Sequence, residues 1–155
     1  MNKKILIVAA VMMIACVAGV FAFGIGVQGG YNMGIPGNVA ITFKLDSLPL
    51  IFAGNFYFGD GFAIGLTGDY WILNNNLAGP LNYFVGVGFG ATIGGFNDDL
   101  LLAASARLPV GLNMFLANNV IEPYIQVVPM LRLGITPSFN VNFDLDANFG
   151  LRFWF

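Results

Sequence analysis

The chain has 155 residues, enough for one domain, with a mean hydropathy of +0.78 and a net charge of −2. Only 9% of the residues are charged, whereas a water-soluble domain usually carries about 25%, so we expect much of the surface to avoid water. The absence of histidine excludes a Ser-His-Asp triad and His-ligated zinc, and the scarcity of Lys and Arg excludes a phosphate-binding surface for nucleic acid.

The first 22 residues have the layout of a secretory signal peptide. Lys3 and Lys4 supply a positive start, residues 5–20 are apolar, and Ala22 is a small residue at a position that a signal peptidase reads. We therefore expect cleavage after Ala22, followed by export from the cytoplasm. A retained membrane helix is the alternative, but no polar stop-transfer flank follows the apolar stretch.

Cleavage would leave one mature domain, residues 23–155. Loss of Lys3, Lys4 and Cys16 would leave four basic against eight acidic residues, a net charge of −4, and no cysteine for thiol chemistry. Lipidation at Cys16 is a further alternative, disfavoured because the residues that follow it are apolar. We expect neither enzymatic activity nor a cofactor in the mature domain.

The mature domain contains eight segments in which apolar residues alternate with small or polar ones, the period of a β-strand. Each segment approaches the 9–11 residues with which a tilted strand crosses a membrane, and only a closed barrel lets strands do so. The sequence thus predicts an all-β fold, an eight-stranded antiparallel up-and-down transmembrane β-barrel. The predicted strands are residues 24–33, 38–45, 50–58, 62–73, 82–93, 100–116, 120–133 and 138–155.

Prolines and turn residues predict where the regular pairing is interrupted. Pro109 falls in the sixth segment, and Pro123 and Pro129 fall in the seventh; because proline donates no ladder hydrogen bond, we expect local weakening or bulges there. The asparagine-rich stretch 74–80 is predicted to be a loop, and residues 94–98 a turn.

The last segment indicates which side of the strands faces outward and which faces the interior. From Phe139 to Phe155 one side is wholly apolar, and the other carries asparagine, Asp144, Asp146 and Arg152. The polar set is too small for a water-facing exterior and suits a narrow filled interior, so we place the apolar side outward, in lipid. Aromatic residues are expected to form girdles at the two ends of the barrel. They are Tyr31, Phe56, Phe58 and Phe62 at one end, and Tyr70, Phe153, Trp154 and Phe155 at the other.

Most of the charges fall on the inner side, four of each sign. They are Lys44, Asp69, Arg107, Glu122, Arg132, Asp144, Asp146 and Arg152. Buried charges are costly unless paired, so we expect a salt-bridge network that plugs the barrel, with Glu122 beside Arg152 and Arg107 near Asp144 and Asp146.

The sequence is also compatible with two other functions. The inner glycines Gly86, Gly88 and Gly90 could leave room for a narrow pore that passes small solutes. A soluble lipocalin-like barrel that binds a ligand among inward-facing apolar residues, held at the membrane by an N-terminal anchor, would require the reverse facing. Inward-pointing Phe143, Phe149 and Phe153 would reveal it.

Residues 23–155 resemble the small eight-stranded outer-membrane barrels of the OmpA-transmembrane-domain and OmpX type. The stretches 106–112, 121–129 and 151–155 are more specifically similar to a spirochaete outer-membrane barrel family of largely unknown function. The resemblance implies an outer-membrane location, a structural or surface role and a lipid bilayer as partner, and it supplies no catalytic residue.

The ending of the last strand resembles the sorting signal of such barrels. Phe153 and Phe155 would form a membrane-insertion signal that the barrel-assembly machinery reads through the C-terminal strand. We expect a monomer whose amino terminus lies in the periplasm and whose outward connections, residues 34–37, 59–61, 94–98 and 134–137, are short.

Overall fold

The computed structural model describes residues 22–32, 37–58, 61–96 and 99–155, which form one antiparallel sheet. The strands are β1 (Phe23–Asn32), β2 (Asn38–Leu45), β3 (Leu50–Phe58), β4 (Gly61–Ala78), β5 (Leu81–Phe96), β6 (Asp99–Arg107), β7 (Val110–Met114), β8 (Ile121–Thr136) and β9 (Asn140–Trp154). None of the described residues belongs to a helix long and apolar enough to cross a membrane. The predicted signal peptide, apart from Ala22, and Cys16 lie outside the described residues.

The sheet closes on itself as a barrel. Neighbours along the chain pair in turn, β4 pairs with β5, and β1 pairs with β9 to join the first strand to the last. Strands β6 and β7 occupy one position, since both lie between β5 and β8. The ring therefore has eight positions, and the predicted eight-stranded antiparallel up-and-down barrel is confirmed.

The sixth predicted strand is interrupted at Leu108 and Pro109, which separate β6 from β7. Two backbone hydrogen bonds keep the wall closed across the gap: Gly86 N–H donates to the Pro109 carbonyl at 2.8 Å, and Leu108 N–H donates to the Pro129 carbonyl at 3.0 Å. The β8–β9 register runs without a shift through Pro123 and Pro129, so the bulges expected at these two prolines are absent from this ladder.

The predicted loop at residues 74–80 is wrong, because β4 continues to Ala78 and forms a long hairpin with β5. The Asn76 side-chain amide donates to the carbonyls of Gly79, at 2.7 Å, and Leu81, at 3.3 Å, and so holds a tight turn. Gly79 adopts a positive φ of 54°, which glycine tolerates without a side-chain clash. Asparagines that predicted a loop instead fix the end of a hairpin. The turn predicted at 94–98 is likewise shortened, since β5 extends to Phe96.

Side chains alternate between the exterior and interior of the barrel along its wall. Phe143 and Phe149 are 69% and 64% exposed, and Phe153 also points outward. The residues on the opposite face of the same strand, Asp144, Asp146, Asn148 and Arg152, are buried. The predicted facing, with the apolar side outward, is confirmed. The alternative of a lipocalin-like barrel, which needs these phenylalanines to point inward, is therefore wrong.

The predicted aromatic girdles are present as outward-facing side chains, with one exception. Tyr31, Phe58 and Phe62 are exposed toward one end, and Tyr70 and Phe155 toward the other. Phe56 and Phe153 are also exposed. Trp154 turns inward instead, as its place in the alternation requires, and its indole N–H donates to Glu122 at 2.9 Å.

Candidate functional site

The interior of the barrel holds all eight of the predicted inner charges, and five ion pairs connect them. Seven of the eight residues are buried, and Arg132, the eighth, has a side chain only 15% exposed. The pairs are Lys44–Glu122, Arg107–Asp69, Arg107–Asp146, Arg132–Asp144 and Arg152–Glu122. They form two clusters, one around Glu122 near the end of the barrel that carries residues 22 and 155 and one around Arg107 further in, and a separate Arg132–Asp144 pair.

The first cluster surrounds the Glu122 carboxylate, which is completely buried. An Arg152 guanidinium nitrogen lies 3.0 Å from one carboxylate oxygen, and the Lys44 ammonium lies 3.8 Å from the other. The Asn113 amide donates at 2.8 Å and the Trp154 indole at 2.9 Å. Each oxygen thus has a cation and a neutral donor, the kind of satisfied environment that a buried charge requires.

This cluster has two cations for one carboxylate, and aromatic rings face the additional positive charge. Lys44 Nζ lies 4.1 Å from the centroid of the Trp71 ring, and the Arg152 guanidinium carbon lies 4.0 Å from that of Tyr124. Both distances are well within the range in which a cation is attracted to a ring face. Trp71 is itself stacked on Phe84 with centroids 3.9 Å apart, which fixes the ring under Lys44.

The second cluster centres on Arg107. Its Nε and Nη2 atoms donate to the two oxygens of Asp69 at 3.0 and 3.3 Å, a bidentate pair. Its Nη1 atom lies 3.8 Å from Asp146. Asp144, which the sequence placed beside Arg107, pairs instead with Arg132 at 3.1 Å. The expected contact between Glu122 and Arg152 is present, since the two residues are direct partners in the β8–β9 register.

Glycine makes the Arg107–Asp69 pair possible. Asp69, Gly88 and Arg107 are consecutive partners across β4, β5 and β6. A Cβ atom at Gly88 would collide with the Asp69 carboxylate and would lie 2.6 Å from the Gly68 carbonyl oxygen. Arg107 therefore reaches Asp69 over a position without a side chain.

The inner glycines do not leave the empty space expected of a pore. A Cβ at Gly86 would lie 3.2 Å from both Trp71 and Pro109, and one at Gly90 would lie 2.6 Å from the Ser105 hydroxyl. Larger neighbours thus occupy the volume that these glycines release. An interior void bordered by Arg107, Arg132 and several hydroxyl groups measures about 10 Å³, room for about one water molecule.

Several uncharged polar residues of the interior were not singled out from the sequence. The Tyr124 hydroxyl donates to Gln28 at 2.9 Å, and the Gln126 amide donates to the same oxygen at 3.3 Å, so β8 is connected to β1 over Gly150 of the intervening strand β9. Alternation provides the signal that identifies them, because Tyr124 and Gln126 share the face of Glu122.

Comparison with solved structures relates this architecture to known proteins. The fold is similar to Neisserial surface protein A, with a TM-score of 0.60 at 12% identity over 87% of this chain and 97% of that one. It is similar to the N-terminal β-barrel domain of Pseudomonas aeruginosa OprF, with a TM-score of 0.59 at 14% identity over 86% and 97%. A major outer membrane protein from Thermus thermophilus gives 0.50 at 13% identity over 88% and 100%.

No protein-family model matches the chain, and neither does any curated protein sequence. At identities of 12–14% the likeness concerns the fold, and it extends over nearly the whole of each compared structure. The chain therefore has the fold of the small outer-membrane β-barrels, as its sequence predicted.

Proposed function

We propose that the chain is an integral outer-membrane β-barrel protein with a structural or surface role and no catalytic activity, whose lumen is closed by its polar network. The observation that carries the proposal is the division of the wall into an apolar exterior and a charged interior. Every Lys and Arg among the described residues lies inside, while most of the large exposed side chains outside are apolar. In water, an apolar surface of this extent would promote aggregation.

Backbone chemistry supports insertion into lipid. A strand can cross the hydrocarbon core only if its N–H and C=O groups find partners, which a closed ring of strands supplies. The ring is closed within one chain, since Phe155 N–H donates to the Phe23 carbonyl at 3.0 Å and Phe23 N–H donates back at 3.2 Å. A single chain therefore completes the wall, consistent with a monomer.

The lumen of this barrel is closed rather than conducting. Two clusters of ion pairs and the separate Arg132–Asp144 pair lie within it, and neighbouring side chains occupy the space beside the glycines. Eight-stranded barrels have interiors about wide enough for side chains to fill. We assign the interior charges a structural role, holding the strands in register around a polar core.

The same proposal covers the export of the chain and the orientation of the barrel in the membrane. Residues 1–22 act as a cleaved signal peptide that directs the chain to the periplasm. The outward-facing Phe153 and Phe155 at the end of β9 present the membrane-insertion signal to the barrel-assembly machinery. The end of the barrel that carries residues 22 and 155 then faces the periplasm.

A tryptophan placed on the outer wall tests the facing in a bilayer. Phe143→Trp is expected to add emission that phospholipids brominated on their acyl chains strongly quench, because position 143 is exposed on the lipid side. The unmodified protein serves as the control: its Trp71 is buried in the interior and its Trp154 turns inward toward Glu122, so both are expected to be quenched weakly. Quenching of the added tryptophan by aqueous iodide, but not by brominated lipid, would contradict the proposal.

A further inference from the structure

The Glu122 cluster carries a surplus positive charge. Lys44 and Arg152 share the single carboxylate of Glu122, and all three side chains are at most 8% exposed. Asp46, just beyond β2, is exposed to water. The surplus carboxylate of the second cluster, Asp146, lies on β9 with Arg152, about 20 Å away at the rise of a strand residue. Within the described part of the chain, the additional buried cation therefore lacks the close counter-ion that such a charge requires.

Two hydrogen-bond donors of this region also lack an acceptor. The Arg152 Nε and the Thr42 hydroxyl are buried, and neither makes a hydrogen bond of normal geometry with another described residue. The two residues flank Gly26, which is the register partner of both. A Cβ atom at Gly26 would lie 2.7 Å from Arg152 Cγ, so the arginine side chain passes over the glycine.

The second cluster contains the same arrangement with a different ending. There Arg107 passes over Gly88 and meets the carboxylate of Asp69, which accepts two of its hydrogen bonds. In the Glu122 cluster the corresponding position beyond the glycine holds Thr42, which has a hydroxyl and no charge. The arginine beside Thr42 thus meets a donor where the other arginine meets an anion.

We propose that a halide ion, of which chloride is the common example, binds between Arg152 and Thr42 and supplies the missing negative charge. The proposal rests on the closed lumen proposed above. The ion accepts from the Arg152 N–H and the Thr42 O–H, and Lys44 lies two residues along β2 on the same face. An oxyanion such as phosphate needs donors for three or four oxygens, whereas a halide is satisfied by these few groups.

Exchange of anions at constant ionic strength tests the proposal. The full chain is folded into phosphatidylcholine vesicles, and the urea midpoint is measured while sodium chloride replaces sodium gluconate, whose anion is bulky. A ligand that binds only the folded chain stabilises it in proportion to the logarithm of its concentration above the Kd. We therefore expect the midpoint to rise with chloride. In Thr42→Val, which loses one donor to a charged ligand, the chloride concentration needed for the same rise is expected to increase about tenfold.

Thr67→Val is the matched control. Thr67 is also a buried interior threonine, but it lies on β4 and accepts a hydrogen bond from Asn55 at 3.4 Å. Its replacement is expected to leave the chloride dependence unchanged. An equal midpoint in chloride and gluconate would overturn the proposal, as would a response that Thr42→Val and Thr67→Val weaken to the same extent.

Bromide provides a second measurement that needs no variant. A heavy halide bound in the cluster is expected to quench the emission of Trp71, whose ring centroid lies 4.1 Å from Lys44 Nζ, and the quenching is expected to saturate as the site fills. Quenching that increases linearly with bromide, without saturation, would contradict a bound ion. A chain that does not fold into vesicles at all would contradict the barrel itself, which is a separate failure.

Discussion

Glu122→Gln is expected to lower the free energy of unfolding by about 3–5 kcal/mol, the cost of removing one partner from a buried ion pair. The carboxylate is completely buried and lies between two cations, Lys44 and Arg152. Glutamine keeps the size of the side chain but leaves both cations without a counter-ion. Its NH₂ group also cannot accept a hydrogen bond, so either Trp154 or Asn113 loses its acceptor.

The measurement is the urea midpoint of folding into short-chain phosphatidylcholine vesicles, for Glu122→Gln beside Asp144→Asn. Asp144 also pairs with an arginine, but the two side chains are 11% and 15% exposed, so water compensates part of the loss. We expect the midpoint to fall much further for Glu122→Gln. Equal effects would show that the enclosure of the Glu122 cluster adds no stability.

Gly88→Ala is the second substitution expected to have a large effect, although it adds a single methyl group. The added Cβ would collide with the Asp69 carboxylate and approach the Gly68 carbonyl oxygen to 2.6 Å. Overpacking costs about 1–3 kcal/mol, and loss of the Arg107–Asp69 pair raises the cost toward about 3–5 kcal/mol. We therefore expect a marked fall in the urea midpoint and in the yield of folded barrel.

Gly54→Ala is the control for this substitution, because a Cβ at Gly54 meets no atom within 4 Å. Both changes replace a strand glycine with alanine, so their intrinsic strand preferences cancel in the comparison. Gly54→Ala is expected to leave the midpoint nearly unchanged. If Gly88→Ala proved equally harmless, Arg107 would not depend on the open position at Gly88 to reach Asp69.

The sequence predicts the wall of this barrel better than its interior. Period-two alternation assigns each residue to a face, and this places Asp69, Glu122 and Arg152 inside without any knowledge of the fold. The Glu122–Arg152 contact could be predicted as well, because the short β8–β9 connection sets the register of that hairpin.

Contacts between strands that are distant in sequence were harder to predict. Arg107 reaches Asp69, 38 residues earlier, and that choice depends on the register of two ladders and on Gly88 between them. The inner glycines suggested empty volume because the residues that fill it, such as Trp71 beside Gly86, lie on adjacent strands. The composition of one strand does not specify which side chains the adjacent strands place in the lumen.

The neighbours of an outward-facing residue could not be predicted from the sequence either. Gly54 and Ala91 are far apart along the chain, and only the pairing of both with Leu66 brings them together on the wall. The hairpin at Asn76 was mispredicted for a different reason. The asparagines there are close together in the sequence and were read as a loop, whereas Asn76 holds a tight turn at the end of two long strands.

Gel mobility of heated and unheated protein, extracted with detergent from isolated outer membranes, tests the central claim most directly. A closed barrel that spans lipid is expected to be found in the outer-membrane fraction, to migrate differently before and after boiling, and to give a β-rich circular dichroism spectrum. A protein that is released by aqueous buffer, and whose mobility is unchanged by heating, would contradict the account.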